Sequence, residues 1–280
     1  MRKPSKEGYY IVDGKTKNIL EENWDFLIIL DAARYDFFKK LYKNYLSGCL
    51  KRAISPATNT MEWFNRVFPS FYDDIVYVSA NPYVNSKIEV TDRYGLKFDG
   101  KKHFYKIIDV WDWGWSSRTV HPSKMKEAII MVKNKYKKKR FILHYIQPHI
   151  PYISENYIHY RSKSENVIRI PKIRRFIKKL IKRTFGIEGF FGICNLLGIT
   201  PVSQYHLVGM KEGIKGLRKA YKENLELVLE HVAKLLENLS GNILIISDHG
   251  EYLGEYGRCG HGIVPRHPPI IEVPWLIINL

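Results

Sequence analysis

The stretch NILIISDHGEYLGEYGRCGHG, Asn242 to Gly262, decides how the chain is read. It opens on a short apolar run, Asn242 to Ser247, of the kind a strand buried on both faces requires. The run ends on Asp248-His249-Gly250, so a carboxylate and an imidazole emerge side by side where the strand leaves the sheet. Adjacent oxygen and nitrogen donors on a rigid strand end suit a divalent cation, zinc or manganese rather than calcium. Gly250 lets the backbone turn tightly away. His261 follows 12 positions after His249, between Gly260 and Gly262, in a loop able to fold back over the pair. A plainer reading stays open at this point, since an Asp-His pair after a strand also serves as an ion pair or helix cap.

Working outward, DFLIIL (Asp25 to Leu30) ends on Asp31 in the same way. A carboxylate at such a buried strand end is poorly tolerated unless it is paired or metal-bound. Asp31 is also well placed to cap the following helix, and the two roles are compatible. That helix carries Tyr35, Phe38, Leu41, Tyr42 and Tyr45 on one face. Further strands are expected at Ile75–Ser79, Tyr105–Val110, Arg140–Ile146 and Pro274–Asn279, with helices at Ser123–Lys137 and Gly213–Leu239. This alternation predicts an α/β fold, a three-layer α/β/α arrangement around a mostly parallel sheet. Ligands in such sheets bind at the carboxyl ends of the strands. At 280 residues the chain suits a single catalytic domain over 1–280 with an insertion.

The insertion is placed at about 153–210. Its segment RIPKIRRFIKKLIKRTFG is rich in Lys and Arg and contains no acid. Ile173, Phe176, Ile177, Leu180, Ile181 and Phe185 share one helical face there, with cations on the other, which describes a cationic amphipathic helix. Two readings are open: an anionic membrane surface met through 170–185, or a helix packed on the domain whose cations guide an anionic substrate. The next segment, GIEGFFGICNLLGI, is apolar but too short to span a bilayer. Lys and Arg number 45 against 28 Asp and Glu, a formal net charge of +17. That balance favours anionic partners without choosing among them, and a Lys- and Ile-rich surface is also ordinary in thermophiles. No specific nucleic-acid recognition is predicted. Cys49, Cys194 and Cys259 are too dispersed for a disulfide scaffold or a cysteine zinc site. The first residues show no signal-peptide run, so the expected location is cytoplasmic, with peripheral membrane attachment as the second expectation.

At this point the motifs reach a resemblance. SDHGEYLGEYG…GHG resembles the C-terminal metal-binding signature of the sulfatase and phosphoethanolamine-transferase branches of the alkaline phosphatase superfamily. LIILDAARYDFF resembles the superfamily's first strand with its metal-binding Asp, HYIQPHIPYI its PHxPY segment, and EVPWLII its closing strand. The motifs fall in the family's order from about Asp25 to Asn279.

The resemblance implies a nucleophile on the loop and helix start after the second strand, where this chain reads AISPATNTMEWF (Ala53 to Phe64). No C-x-P-S-R is present, so the formylglycine of true sulfatases has no precursor here, which favours phosphate over sulfate chemistry. Thr60 is the first choice because it opens a helix whose amides help hold an anion. Thr58 is the alternative register and Ser55 the third; Thr58 or Asn59 also serves as a plain helix cap. The implied mechanism has one or two divalent metals, the first held by Asp31, Asp248, His249 and Thr60, with the Thr60 alkoxide attacking an anionic ester. His149 and His261 then complete a second metal site or bind the substrate, and His144 is a weaker candidate that suits the core equally. Arg34 is placed to clamp a phosphate or to stand in solvent, while Glu251 and Glu255 orient histidines. The expected activity is hydrolysis or transfer of phosphate esters. The rivals are a sulfatase and an inert protein that binds polyanions or membrane surfaces.

Overall fold

The computed structural model describes residues 8–116, 118–160, 186–197 and 203–280. The basic amphipathic helix expected over 173–185 lies outside them. Nine strands form the main sheet: β1 (Tyr10–Val12), β2 (Lys15–Lys17), β3 (Phe26–Leu30), β4 (Cys49–Ile54), β5 (Tyr72–Ser79), β6 (Phe104–Asp109), β7 (Arg140–Tyr145), β8 (Asn242–Ile246) and β9 (Glu272–Asn279). Their spatial order is β2-β1-β4-β9-β8-β3-β7-β5-β6. From β8 to β6 neighbouring strands pair in parallel, whereas β9 runs antiparallel to both β8 and β4, and β1 and β2 add an antiparallel hairpin. The core of the sheet is therefore parallel, as the alternation predicts, and its flank is antiparallel.

Strand periodicity sorts the buried side chains into two layers. Phe26, Ile28 and Leu30 of β3 face α1 (Tyr35–Leu41), α3 (Ser123–Val132) and α4 (Gln204–Leu236), meeting Phe38, Ile129, Val228 and Leu229. Leu27 and Ile29 face the opposite way, onto α2 (Thr60–Val67), whose Met61, Trp63 and Phe64 fill the second layer. A smaller cluster of Tyr152, Tyr157, Tyr205, Val208, Leu217 and Leu253 sits apart from both. No helix among the described residues is long and apolar enough to cross a membrane.

Several boundaries differ from the sequence reading for physical reasons. The helix expected to start at Gly213 runs from Gln204, with Gly213 itself out of helical geometry at φ 68° and ψ −170°. α3 stops at Val132 rather than Lys137, because the run that follows gathers Lys133, Lys135, Lys137, Lys138 and Lys139, whose charges repel at helical spacing. β4 went unpredicted because most of its side chains stand partly or fully exposed, so Lys51 and Arg52 break the apolar signal. The β1–β2 hairpin did carry a signal, since Asp13-Gly14 takes positive φ (48° and 80°) as a two-residue hairpin turn demands.

One ion-pair cluster ties the junction after β3 to the rest. Arg34 is 4% exposed; its Nε and Nη2 donate to Asp36 at 2.9 and 2.7 Å, and its Nη1 to Glu255 at 2.8 Å. Arg218 of α4 donates to the same Glu255 oxygen at 2.9 Å. Burial alone would raise the Glu255 pKa, but the Arg34 guanidinium outweighs it and holds the carboxyl below the usual range. Glu255→Gln should therefore cost about 1–2 kcal/mol of unfolding free energy at pH 7. With the folded pKa depressed, that contribution is complete above the unfolded value of roughly 4.3 and fades as pH falls through the lower folded one. Urea titrations of both proteins from pH 7 to pH 3 check this, and a difference independent of pH contradicts it.

Candidate metal centre and substrate pocket

Parallel register creates the first contact. Ile246 of β8 lies opposite Ile29 of β3, so Asp248 and Asp31, each two residues further on, leave the sheet side by side. Both are buried, and one oxygen of each is satisfied. Asp31 Oδ2 accepts from Asn81 Nδ2 at 3.1 Å; Asp248 Oδ1 accepts from the N–H groups of Ala32 at 3.2 Å and His249 at 2.9 Å. The second oxygens, Asp31 Oδ1 and Asp248 Oδ2, have no hydrogen-bond partner among the described residues.

The His249 ring is set between them. Its Nδ1 lies 2.8 Å from the Gly250 carbonyl, which can only accept, so the proton resides on Nδ1 and the Nε2 lone pair faces the site. Nε2 stands 3.3 Å from Asp248 Oδ2, 3.8 Å from Asp31 Oδ1 and 3.2 Å from Thr60 Oγ1. The donor atoms of Asp31, Asp248 and His249 all lie within 4.8 Å of one another. Two orphaned carboxylate oxygens and an imidazole lone pair turned inward are mutually repulsive and badly solvated. Burial, and then the charge of Asp248, push the Asp31 pKa well above the usual carboxylate range. A divalent cation relieves both penalties, so these residues fit one.

Gly250 serves a purpose other than turning. Its N–H donates to Ile270 O at 2.5 Å, and a Cβ there would come within 2.2 Å of Pro269 O. The position needs a glycine because another segment of backbone passes against it.

Thr60 reaches the site because Asn59 caps α2. Asn59 Oδ1 accepts from Glu62 N at 2.9 Å, which fixes the helix start and leaves Thr60 as its first residue, 4% exposed. The neighbouring hydroxyls are committed elsewhere. Thr58 Oγ1 donates to Gly262 O at 2.8 Å, and Ser55 Oγ donates to Asp248 O. Neither lines the pocket that Thr60 lines. His144 belongs to β7, fully buried, with Nδ1 2.8 Å from the Tyr77 hydroxyl and a pKa lowered by burial to about 4.

A second cluster joins His149, Glu251 and His261. The His149 and His261 rings are 4.9 Å apart, and His261 lies 4.2 Å from His249, so the two clusters adjoin. His149 Nδ1 lies 2.6 Å from Ile150 O, which turns its Nε2 lone pair outward, and burial lowers its pKa to about 4. Burial likewise holds His261 well below its usual value. Both rings are neutral imidazoles, the form that ligates metals. Glu251, fully buried, accepts from the Tyr205 hydroxyl, lies 3.3 Å from His261 Nδ1, and keeps Oε2 without a partner.

The sequence reading has Arg34 clamping a phosphate and Glu255 orienting a histidine, and the structure gives both side chains other partners. Arg34 spends its donors on Asp36, Glu255 and the Glu251 carbonyl, and lines a different cavity. Glu255 therefore pairs with arginines rather than orienting a histidine. Residues that no motif marks hold the site in place. Asn224 of α4, buried, donates to the carbonyls of Pro148, His149 and Pro151 at 3.1–3.3 Å, fixing the His149 loop. Asn81 orients Asp31, and Tyr205 orients Glu251. All are single polar side chains brought in from distant segments, without a local motif. Asp31, Thr60, His149 and His261 line a cavity of about 490 Å³ together with Tyr83, Arg93, Tyr94 and Trp115.

No protein-family profile and no curated protein matches the chain. By structure it is similar to the soluble domain of lipooligosaccharide phosphoethanolamine transferase A from Neisseria meningitidis, at 13% identity over 96% of this chain and 79% of that one, with a TM-score of 0.50. The integral membrane form of that transferase aligns at 13% identity over 96% of this chain and 49% of its own, with a TM-score of 0.48. The chain thus spans about half the length of that membrane protein. A phosphonate monoester hydrolase from Silicibacter pomeroyi aligns at 15% identity, 72% and 39% coverage and a TM-score of 0.34. At these identities the likeness is one of architecture: the chain has the alkaline phosphatase-like α/β fold, with a large mixed sheet that is parallel at its core.

Proposed function

We propose that this chain is a metal-dependent enzyme that hydrolyses or transfers phosphate esters through Thr60. The observation that carries this reading is the placement of Thr60 Oγ1 3.2 Å from His249 Nε2, at a helix start and beside two carboxylate oxygens without partners. A divalent cation bound by Asp31, Asp248 and His249 would lower the hydroxyl pKa and polarise the ester.

The chain's own groups account for the remaining steps. Thr60 Oγ attacks phosphorus; the Oγ–P bond forms as the bond to the ester oxygen breaks, and the alcohol leaves with a proton. The first turn of α2 offers backbone N–H groups without helical partners to the equatorial oxygens of the phosphate. His149 and His261 adjoin the first cluster and would hold a second cation or the anion itself, with Glu251 beside the His261 ring. Water or a second alcohol then takes the phosphoryl group from Thr60. The likeness in architecture to a phosphoethanolamine transferase supports phosphorus chemistry of this kind, and the absence of a formylglycine precursor near Thr60 favours phosphate over sulfate.

Two outcomes follow. Calorimetric titration of chelator-treated protein with Zn²⁺ or Mn²⁺ should show one or two ions bound and a higher Tm. Asp248→Asn should weaken the tighter site by more than about a hundredfold, beyond the range of outer-sphere changes. Absence of metal binding would remove the centre from the mechanism. In the second experiment, Thr60→Ala should lower turnover of an aryl phosphate monoester by at least roughly a thousandfold while circular dichroism and metal content stay unchanged. Thr58→Ala should stay within about tenfold of the parent, since its hydroxyl serves Gly262 O. The opposite ranking moves the nucleophile to Thr58, and a parent that turns over only aryl sulfates replaces phosphate by sulfate as the substrate.

A further inference from the structure

Beyond the metal-facing donors the cavity presents a wall that the chemistry above does not use. Three large rings stand on it with much of their surface open: Tyr83 at 38%, Tyr94 at 40% and Trp115 at 47% exposure. They come from separate short excursions. Tyr83 follows β5, Tyr94 sits at the tip of the ribbon Val90–Thr91/Lys97–Phe98, and Trp115 opens the ribbon Trp115–Ser116/Thr119–Val120. Rings left open on a concave wall beside polar, convergent groups are characteristic of a ligand surface.

The ribbon tip is registered against the site. At Gly262, next to His261, a Cβ would come within 2.0 Å of Tyr94 Oη and 3.3 Å of Arg93 Nη2. Arg93 Nη2 donates to His261 O at 3.3 Å, and the guanidinium lies over the Tyr94 ring at 4.9 Å. Arg118 lines the same wall. Asp92 lines the same cavity, and its Oδ1 accepts the N–H groups of Tyr94 and Leu96 at 2.8 and 2.9 Å.

We infer that this wall is the subsite for the alcohol of the ester, and that it takes a planar aromatic alcohol and rejects one carrying an ammonium group. The inference rests on the phosphate-ester reading of the site. Aromatic walls alone accept two kinds of guest, since ring faces stack on flat groups and also attract cations. The guanidiniums decide between them. Arg93 and Arg118 outnumber Asp92 in this part of the lining, so like charge disfavours an ammonium, whereas a neutral ring stacks without that penalty.

Phosphonates separate the two guests without turnover, because their carbon–phosphorus bond is not the bond this chemistry breaks. Binding of methylphosphonate, phenylphosphonate and 2-aminoethylphosphonate to the full-length, metal-loaded protein is measured by calorimetry. Phenylphosphonate should bind about tenfold or more tighter than 2-aminoethylphosphonate. Trp115→Ala should lower the phenyl-to-methyl affinity ratio several-fold, and Arg93→Ala should raise the affinity for the aminoethyl compound relative to methylphosphonate. Equal binding of the phenyl and aminoethyl compounds, or a preference untouched by both substitutions, overturns the inference and leaves the phosphate reading standing. Failure of methylphosphonate itself to bind overturns the phosphate reading, and this inference with it.

Discussion

The structure depends on the contact between two buried carboxylates. Parallel pairing of β3 with β8 brings Asp31 and Asp248 to the same sheet edge, each with one oxygen that no protein group satisfies. Uncompensated, such a pair opposes folding, because burial and like charge both raise the cost of ionisation. Much of the surrounding structure limits that cost. Asn81 and the N–H groups of Ala32 and His249 each take one oxygen, and Gly250 lets a neighbouring backbone close over the turn. What these contacts leave open is an arrangement of oxygens and nitrogen shaped for a cation.

Strands whose side chains are buried on both faces were legible in the sequence, because they write themselves as unbroken apolar runs. DFLIIL and NILIIS were read this way, as was the carboxylate after each. β4 was not legible, since an exposed strand carrying Lys51 and Arg52 has no such signature. The limit at the site is similar. Asp31, Asp248, His249, His149, His261 and Thr60 sit in motifs, and the structure brings them to adjoining clusters or to one pocket wall. Arg34 was misplaced because proximity in sequence to Asp31 says nothing of where a long side chain finds its carboxylates. Asn224, Asn81 and Tyr205 act across long sequence separations, and such partnerships exist only once the chain has folded.

The two histidine-bearing clusters are also built differently. The Asp31–Asp248–His249 group stands at the ends of core strands, where packing on both faces holds it. The His149–Glu251–His261 group stands on loops beside the satellite cluster, held by side-chain hydrogen bonds from Asn224 and Tyr205 and by apolar packing around them. The first cluster is thus braced by the main core and the second by a smaller one.

α4 gives this asymmetry an architectural basis. Its residues from Leu225 on, such as Val228 and Leu229, belong to the main core, whereas Tyr205, Val208, Leu217 and Tyr221, on both sides of the break at Gly213, belong to the small satellite cluster. One helix therefore joins two units of unequal independence. The sheet and its core hold the Asp31–Asp248–His249 cluster, and the satellite supplies a bracket that reaches Glu251 through the Tyr205 phenol. Drift in the bracket's sequence would reshape the second cluster while sparing the scaffold, so the lining of the pocket and foldability are free to change separately in this chain.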